Sequence, residues 1–367
     1  HSAYDLERTS YILAFGASII ESQRPLARNL RMWGKIRRER PIRAKVVVVD
    51  PRYSVTAARA DEWVPINPGT DGALAMAMAN VIVGEGLYDA GFVQTWTSGF
   101  DAYKDLALSS YDPESVAVIT GVPADAIRRI AREFARSAPA IAWRGRGATG
   151  WPNGSYTSYA ILCLNALVGS IDAPGGVLYQ EYPEYRDMPE IAEDDAAREG
   201  KARPALDLRR TARFPLAGVV TNQVADSIVE GSPYAIEVAL GFNSNFNMSA
   251  PGTGRWDEAM RKVPYYVHVA PFISEMAEYA DIVLPACTFL EEWGYDHCPP
   301  GPGFTEVVVK QPVVEPLYTS RAVADILFDL AFRLGGGIAH SFAGIGDGAE
   351  GFARYRTGAF TTWDELR

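Results

Sequence analysis

Several places in this 367-residue chain set glycines or polar side chains directly after a short apolar run, where ligands approach the carboxyl edge of an open parallel sheet. Gly16-Ala-Ser18-Ile-Ile-Glu21-Ser22 follows Tyr11–Phe15 and could hold phosphate through backbone amides and Ser22 at a helix start, unless it is a plain strand-to-helix turn. Asp50-Pro51-Arg52 follows four valines; a carboxylate there suits ribose hydroxyls or a guanine edge and an arginine suits phosphate, against the alternative of a turn with a surface ion pair. Asp71, in Gly69-Thr-Asp-Gly72, is either a helix cap alone or a cap that also faces a base. Gly145-Arg146-Gly147-Ala-Thr-Gly150 fits a dinucleotide fingerprint. Trp151-Pro152-Asn153-Gly154 interrupts the helix that should follow, so phosphate contact aided by Arg144 and Arg146 is preferred over a nicotinamide site. Gly241-Phe-Asn243-Ser244-Asn245 takes an equivalent place later on and suits hydrogen bonding to a heterocycle, or an Asx turn. Glu291-Glu292 and the pair His297/Cys298 lie near the end of the second repeat; a paired-carboxylate acid/base reading of the two glutamates has no partners in the sequence to support it. The histidines His1, His268, His297 and His340 are too scattered for a metal site by spacing.

The elements that must position these residues alternate as strand and helix, the pattern of a doubly wound α/β fold. Apolar runs at 11–15, 46–49 and 140–143 read as strands. Periodic stretches at 28–43, 72–83 and 122–135 read as helices, the first of them basic, from Arg28 through Arg40 to Arg43. A helix at 156–168, a charged surface excursion at 181–213 and renewed alternation from 219 to 333 follow. Pro51–Pro65 and Pro271–Pro285 match without gaps at six of fifteen positions, each after an apolar strand and each preceded by a strand ending in glycine, Gly16 or Gly241. This predicts two related doubly wound parallel-sheet domains from an internal duplication: 1–143, then 144–334, with 335–367 as a linker or terminal extension.

The totals narrow the function. Thirty-five basic against forty-five acidic residues leave a formal charge of −10, which excludes nucleic-acid wrapping as a main task. Cys163, Cys287 and Cys298 form no C-x-x-C pattern, so this stretch holds no cysteine-ligated cluster or zinc site. No apolar run approaches bilayer length, and the start at His1 without an initiator Met reads as a processed or truncated chain.

Taken in order, Tyr11–Ser22, Val46–Asp71, Gly145–Gly176, Gly241–Pro251 and Ala277–Gly294 resemble the middle of a molybdopterin oxidoreductase large subunit of the dimethyl sulfoxide reductase superfamily. The resemblance spans about residues 10–335. It implies a bis(molybdopterin guanine dinucleotide) cofactor carrying molybdenum or tungsten, with the two related domains binding its two dinucleotide arms. By matching position, Gly16, Ser18, Glu21, Ser22, Asp50, Arg52 and Asp71 would line one arm. Arg146, Gly147 and the loop to Asn153 would approach the cofactor, as would Asn243, Ser244 and Asn245. The chain departs from the family pattern at Ser18-Ile19 and Asn245-Phe246, where Asn-Pro is common. A cysteine-rich [4Fe–4S] segment, the protein ligand to the metal and a C-terminal barrel-like domain are not visible, which implies part of a larger subunit. Within the family the motifs are most similar to the polysulfide, thiosulfate, tetrathionate and arsenate reductases. That branch implies two-electron, often oxygen-atom, transfer on a small inorganic substrate in anaerobic respiration. It also implies an iron–sulfur electron-transfer subunit, a membrane anchor subunit and a periplasmic location. Two alternatives remain: a structural subunit of a respiratory complex that kept the fold without the cofactor, and a nucleotide-binding α/β protein with no redox role.

Overall fold

A computed structural model describes residues 2–39, 43–298, 301, 303–346, 348–360 and 362–366; His1 and Arg40 lie outside them. Four strands, β1 (Tyr11–Phe15), β2 (Lys45–Val49), β3 (Glu62–Val64) and β4 (Ala140–Arg144), form a parallel sheet in the order β3-β2-β1-β4. Tyr11, Leu13, Phe15, Val47, Val49 and Ala142 face one core, while Ile12, Ala14, Val46, Val48, Ile141 and Trp143 face another. Burial on both faces is why these strands read as unbroken apolar runs. Helices α1 (Leu26–Gly34) and α2 (Val55–Arg59) send Met32 and Ala57 into the second core. On the opposite face lie α3 (Asp71–Gly84), α4 (Ala124–Arg136) and α5 (Gly154–Leu167). The basic stretch does not form one long solvated helix: α1 gives way to a π turn at Lys35–Glu39, and Arg37 and Arg43 both pair with Asp61.

A second parallel sheet has the order β5-β6-β7, from Val238–Phe242, Tyr265–Ala270 and Ile282–Pro285. One face carries Ala239 and Tyr266 against α6 (Thr221–Glu230) and α7 (Thr253–Lys262). The other leaves Val238, Leu240, Tyr265 and Ile282 exposed. Where a helix was expected after β6 there is only a 3-10 turn, Met276–Tyr279.

The chain divides into two units, His1–Pro183 with His297–Glu306, and Glu184–Asp296 with Val307–Arg367. The boundary therefore lies forty residues beyond the expected 143/144. The reason is α5: its buried Asn165 donates to Ala142 O at 3.0 Å and accepts the Ala142 N–H at 2.8 Å, tying the helix to β4. Residues 335–367 are not a loose extension either. Helices α8 (Val323–Leu334), α9 (Gly336–Phe342) and α10 (Gly348–Thr357) pack together, with Phe328 against Phe342 and Phe352 and with Ala349 and Ala353 buried. Small residues here permit close helix approach.

The expected repeat is present in hydrogen bonds. The Asp61 carboxylate accepts the Val46 N–H at 2.7 Å and the Asp61 N–H donates to Val46 O at 2.9 Å. Asp281 does the same with Tyr266, at 2.7 and 2.8 Å. Register corrects one pairing. Phe15 lies beside Val49 and Phe242 beside Val269, and the next N–H of each first strand, Gly16 or Asn243, donates to that partner's carbonyl at 2.8 or 2.9 Å. Gly16 thus corresponds to Asn243, not Gly241, and both residues have positive φ, 52° and 46°. Asp61→Ala should cost about 2–3 kcal/mol in chemical denaturation, because a charged acceptor shared by an amide and two arginines is lost. Asp281→Ala, which loses no arginine pair among the described residues, should cost about 1 kcal/mol; equal costs would refute this ranking.

Candidate functional site

Each sheet presents a carboxyl edge, and the predicted residues gather at these edges in different states. In the first unit the turn after β1 is closed on itself. The Glu21, Ser22 and Gln23 N–H groups all donate to Ser18 O, at 3.2, 3.1 and 3.1 Å. No helix starts at Ser22, since α1 begins at Leu26, so the expected helix-start phosphate cradle is not formed. Glu21 is occupied too: its carboxylate accepts the Val55 N–H at 3.2 Å and the Thr56 hydroxyl at 3.3 Å and pairs with Arg52 at 3.4 Å. Burial acts to raise its pKa, but the Val55 and Thr56 amides and Arg52 outweigh it and hold the carboxyl below its ordinary value.

The glycine-rich loop also serves the backbone first. Gly145 N–H donates to Phe15 O at 2.8 Å and Gly147 N–H to Gly16 O at 3.1 Å. A Cβ on Gly145 would lie 2.1 Å from Gly16 O. Its helical piece is the single turn Arg146–Thr149, so no dinucleotide fingerprint helix follows; Arg146 and Gly147 themselves are exposed. Asn153 is exposed beside Trp151, whose indole N–H donates to Gly147 O at 3.1 Å.

Two carboxylates remain at the first edge. Asp50 accepts the Arg52 N–H at 2.8 Å and is buried, while most of the Arg52 side chain is exposed. Asp71 is not a cap: Thr70 holds the cap position, and Asp71 is the first helical residue. It is 3% exposed and its Oδ1 has no hydrogen-bond partner, an open acceptor of the kind buried sites seldom leave. Burial pushes its pKa up to about 6, helped by the charge of Asp50. Next to it, Gly72 abuts the hydroxyl of Thr157, also buried without a partner.

At the second edge Asn245 donates to Glu275 at 2.6 Å while its Oδ1 stays buried and unpartnered. Ser274 Oγ and His268 Nε2 are likewise unpartnered. Tyr266 Oη and His268 Nδ1 lie 2.6 Å apart, and burial holds His268 below its ordinary pKa. Ser244 points to Met276, its Oγ 3.8 Å from Sδ. At each edge taken by itself, the open acceptors and hydroxyls suit a group rich in N–H and O–H donors, as a pterin or guanine nucleotide is.

A family model described as molybdopterin oxidoreductase matches residues 1–333. The chain belongs to this family. The molybdopterin-containing subunit ArrA of the arsenate respiratory reductase of Chrysiogenes arsenatis is 37% identical over 90% of the chain. Subunit PhsA of the thiosulfate reductase of Salmonella typhimurium is 32% identical over 91% of it. The molybdopterin-binding-like subunit of the menaquinone reductase of Nitratidesulfovibrio vulgaris is 29% identical over 90%. The chain spans only 42–44% of the length of these relatives. Acetylene hydratase from Pelobacter acetylenicus has the same fold, with a TM-score of 0.73 at 24% identity over 100% of the chain and 52% of its own. These matches agree with the α/β class and the family expected from the motifs.

Of the unpartnered groups at these edges, sequence reasoning passes over Thr157 and Ser274 and weighs His268 only as a metal ligand. Thr157 lies in a helix whose Ser155, Tyr156 and Ser158 make one more hydroxyl unremarkable, and Ser274 is in the sequence only a matched position of the repeat; the cap formed by its counterpart Ser54, which accepts the Ala57 N–H at 3.1 Å, is not made by Ser274 Oγ. Among the described residues no cluster of three or more His, Cys, Asp or Glu could hold a metal, and no helix is long and apolar enough to cross a membrane.

Proposed function

We propose that this chain is the cofactor-holding part of a molybdenum or tungsten oxidoreductase catalytic subunit. The observation that carries the reading is the buried, unpartnered Asp71 carboxylate oxygen at the carboxyl edge of the first sheet. A guanine dinucleotide arm supplies paired N–H donors that such an oxygen would accept. Asp50 and Arg52 suit its sugar and phosphate, and Asn243 and Asn245 would hold the second arm. When bound, the pterin-held metal supplies the two-electron transfer, and the protein supplies position and electrostatics. The relatives named for arsenate, thiosulfate and dimethyl sulfoxide reduction support a small inorganic or sulfur-containing acceptor. An iron–sulfur cluster in the part of the protein outside this sequence, an electron-transfer subunit, a membrane anchor and a periplasmic location belong to the same proposal.

Full-length protein purified with its partners should contain stoichiometric molybdenum or tungsten and release guanine nucleotide on acid treatment. Replacing Asp50 and Asp71 together by Ala should lower that content at least about tenfold, because each charged hydrogen bond is worth about 1.5–3 kcal/mol. Unchanged content would refute the site. A second reading, a structural subunit without cofactor, is favoured by the self-closed turn at Ser18–Gln23 and the occupied Glu21. Metal-free, pterin-free protein that stays folded in its complex would establish it.

A further inference from the structure

Counted on from the matched stretch, the carboxylates of the first edge fall opposite residues of the second, and the two edges have diverged there. Counting on from the matched prolines Pro65 and Pro285, Asp71 falls opposite Glu291 and Pro68 opposite Thr288. Likewise Asp50 falls opposite Ala270 and Arg52 opposite Phe272.

Glu291 is buried like Asp71, but both of its oxygens are engaged. Oε2 accepts the Thr288 N–H at 2.7 Å and the Thr288 hydroxyl at 2.8 Å, and Oε1 accepts the Leu317 N–H at 2.7 Å. These bonds hold the carboxyl below its ordinary pKa. They also staple the loop after β7 to the segment near Leu317, where Val313 N–H donates to Leu290 O at 2.7 Å. In the first half this staple has no counterpart to build on. Pro68 has neither an N–H nor a hydroxyl, so the acid three residues on finds no donor there.

We propose that the two halves select their nucleobases unequally: the first reads its base through the open oxygen of Asp71, whereas Glu291 is a loop staple and takes no part in selecting the base at the second edge. The proposal rests on the cofactor reading above. Base selection at the second edge then falls to neutral groups, Asn245 and Ser274, each with an unpartnered oxygen.

The test uses the full-length protein in its complex, measuring nucleotide released per protein together with protease sensitivity of the stapled segments 286–293 and 311–317, hereafter the loop. Wild-type protein must first yield nucleotide; none at all refutes the cofactor reading rather than this one. Asp71→Asn should lose half or more of the nucleotide with the loop unchanged. Glu291→Gln should keep it while the loop becomes more sensitive to protease. Thr288→Ala removes one staple bond and leaves the carboxylate ionised, so it should follow Glu291→Gln on both readouts. Full nucleotide retention in Asp71→Asn would overturn the proposal. So would nucleotide loss in Glu291→Gln that Thr288→Ala does not share.

Discussion

Asp71→Asn should make the cofactor-free protein more stable at neutral pH, by about 3 kcal/mol. The folded state holds the Asp71 proton up to a pKa of about 6, against a model value of 3.8, mainly through burial and then through the charge of Asp50. An acid whose folded pKa is raised binds its proton more tightly folded than unfolded. Its contribution is therefore fully present below the unfolded value and is lost as pH rises through the folded one. Asparagine carries no charge at any of these pH values. Variant and wild type should match near pH 3.5 and diverge until pH 7, as read by denaturant midpoints of cofactor-free protein at each pH. A constant difference across that range would defeat the argument. The same substitution should weaken nucleotide retention, so stability and binding move in opposite directions. That opposition is the mark of a group kept for a ligand rather than for the fold.

Gly145→Ala should be among the most damaging substitutions in the chain. Its Cβ would lie 2.1 Å from Gly16 O and 2.4 Å from Ala17 Cα, backbone atoms that cannot swing aside. Gly16→Ala meets Ala148 N at 2.4 Å and has φ of 52° besides. Each should cost more than about 4 kcal/mol, a large part of a domain's whole stability, and should be seen as insoluble protein or loss of cooperative melting. Gly200→Ala is the control: nothing lies within 4 Å, the helix Asp195–Ala202 is exposed, and a gain of about 0.5–1 kcal/mol is expected. A Gly145→Ala protein within about 1 kcal/mol of wild type would show that the two turns can separate.

What was legible in the sequence follows from which forces act locally. The valine run at 46–49 and the apolar runs at 11–15 and 265–269 announced their strands, because burial on a sheet leaves little choice of residue type. The repeat announced two sheets of one design, and its Asp61 and Asp281 proved to make the same pair of bonds. The boundary was not legible. The glycines at 145 and 147 marked a change in composition, yet they permit two turns of one unit to cross, a contact between residues far apart in sequence. In the tail after Gly335, Gly and Ala suggest little to pack, whereas around Phe328 they let helices close on an aromatic ring. At the site, Asp50 stands out in the sequence by its place after a strand and Asp71 by its place at a helix start. Glu21 was placed there too, but its partners Val55 and Thr56 come from the α2 turn, which only folding brings near. The difference between Pro68 and Thr288 was visible in the letters, but it acquires meaning only once each acid's donors are known.

The first unit is not contiguous: it takes back His297–Glu306 after the chain has made most of the second. Gln180 shows what that return supplies, since its Oε1 accepts the Gly301 and Gly303 N–H groups at 3.0 and 3.2 Å. On the ribosome, residues 184–296 must therefore emerge before the first unit can finish. A gene cut at residue 183 would take both of these donors away from Gln180. Expressing the first unit alone calls for grafting the 297–306 segment back through a short linker.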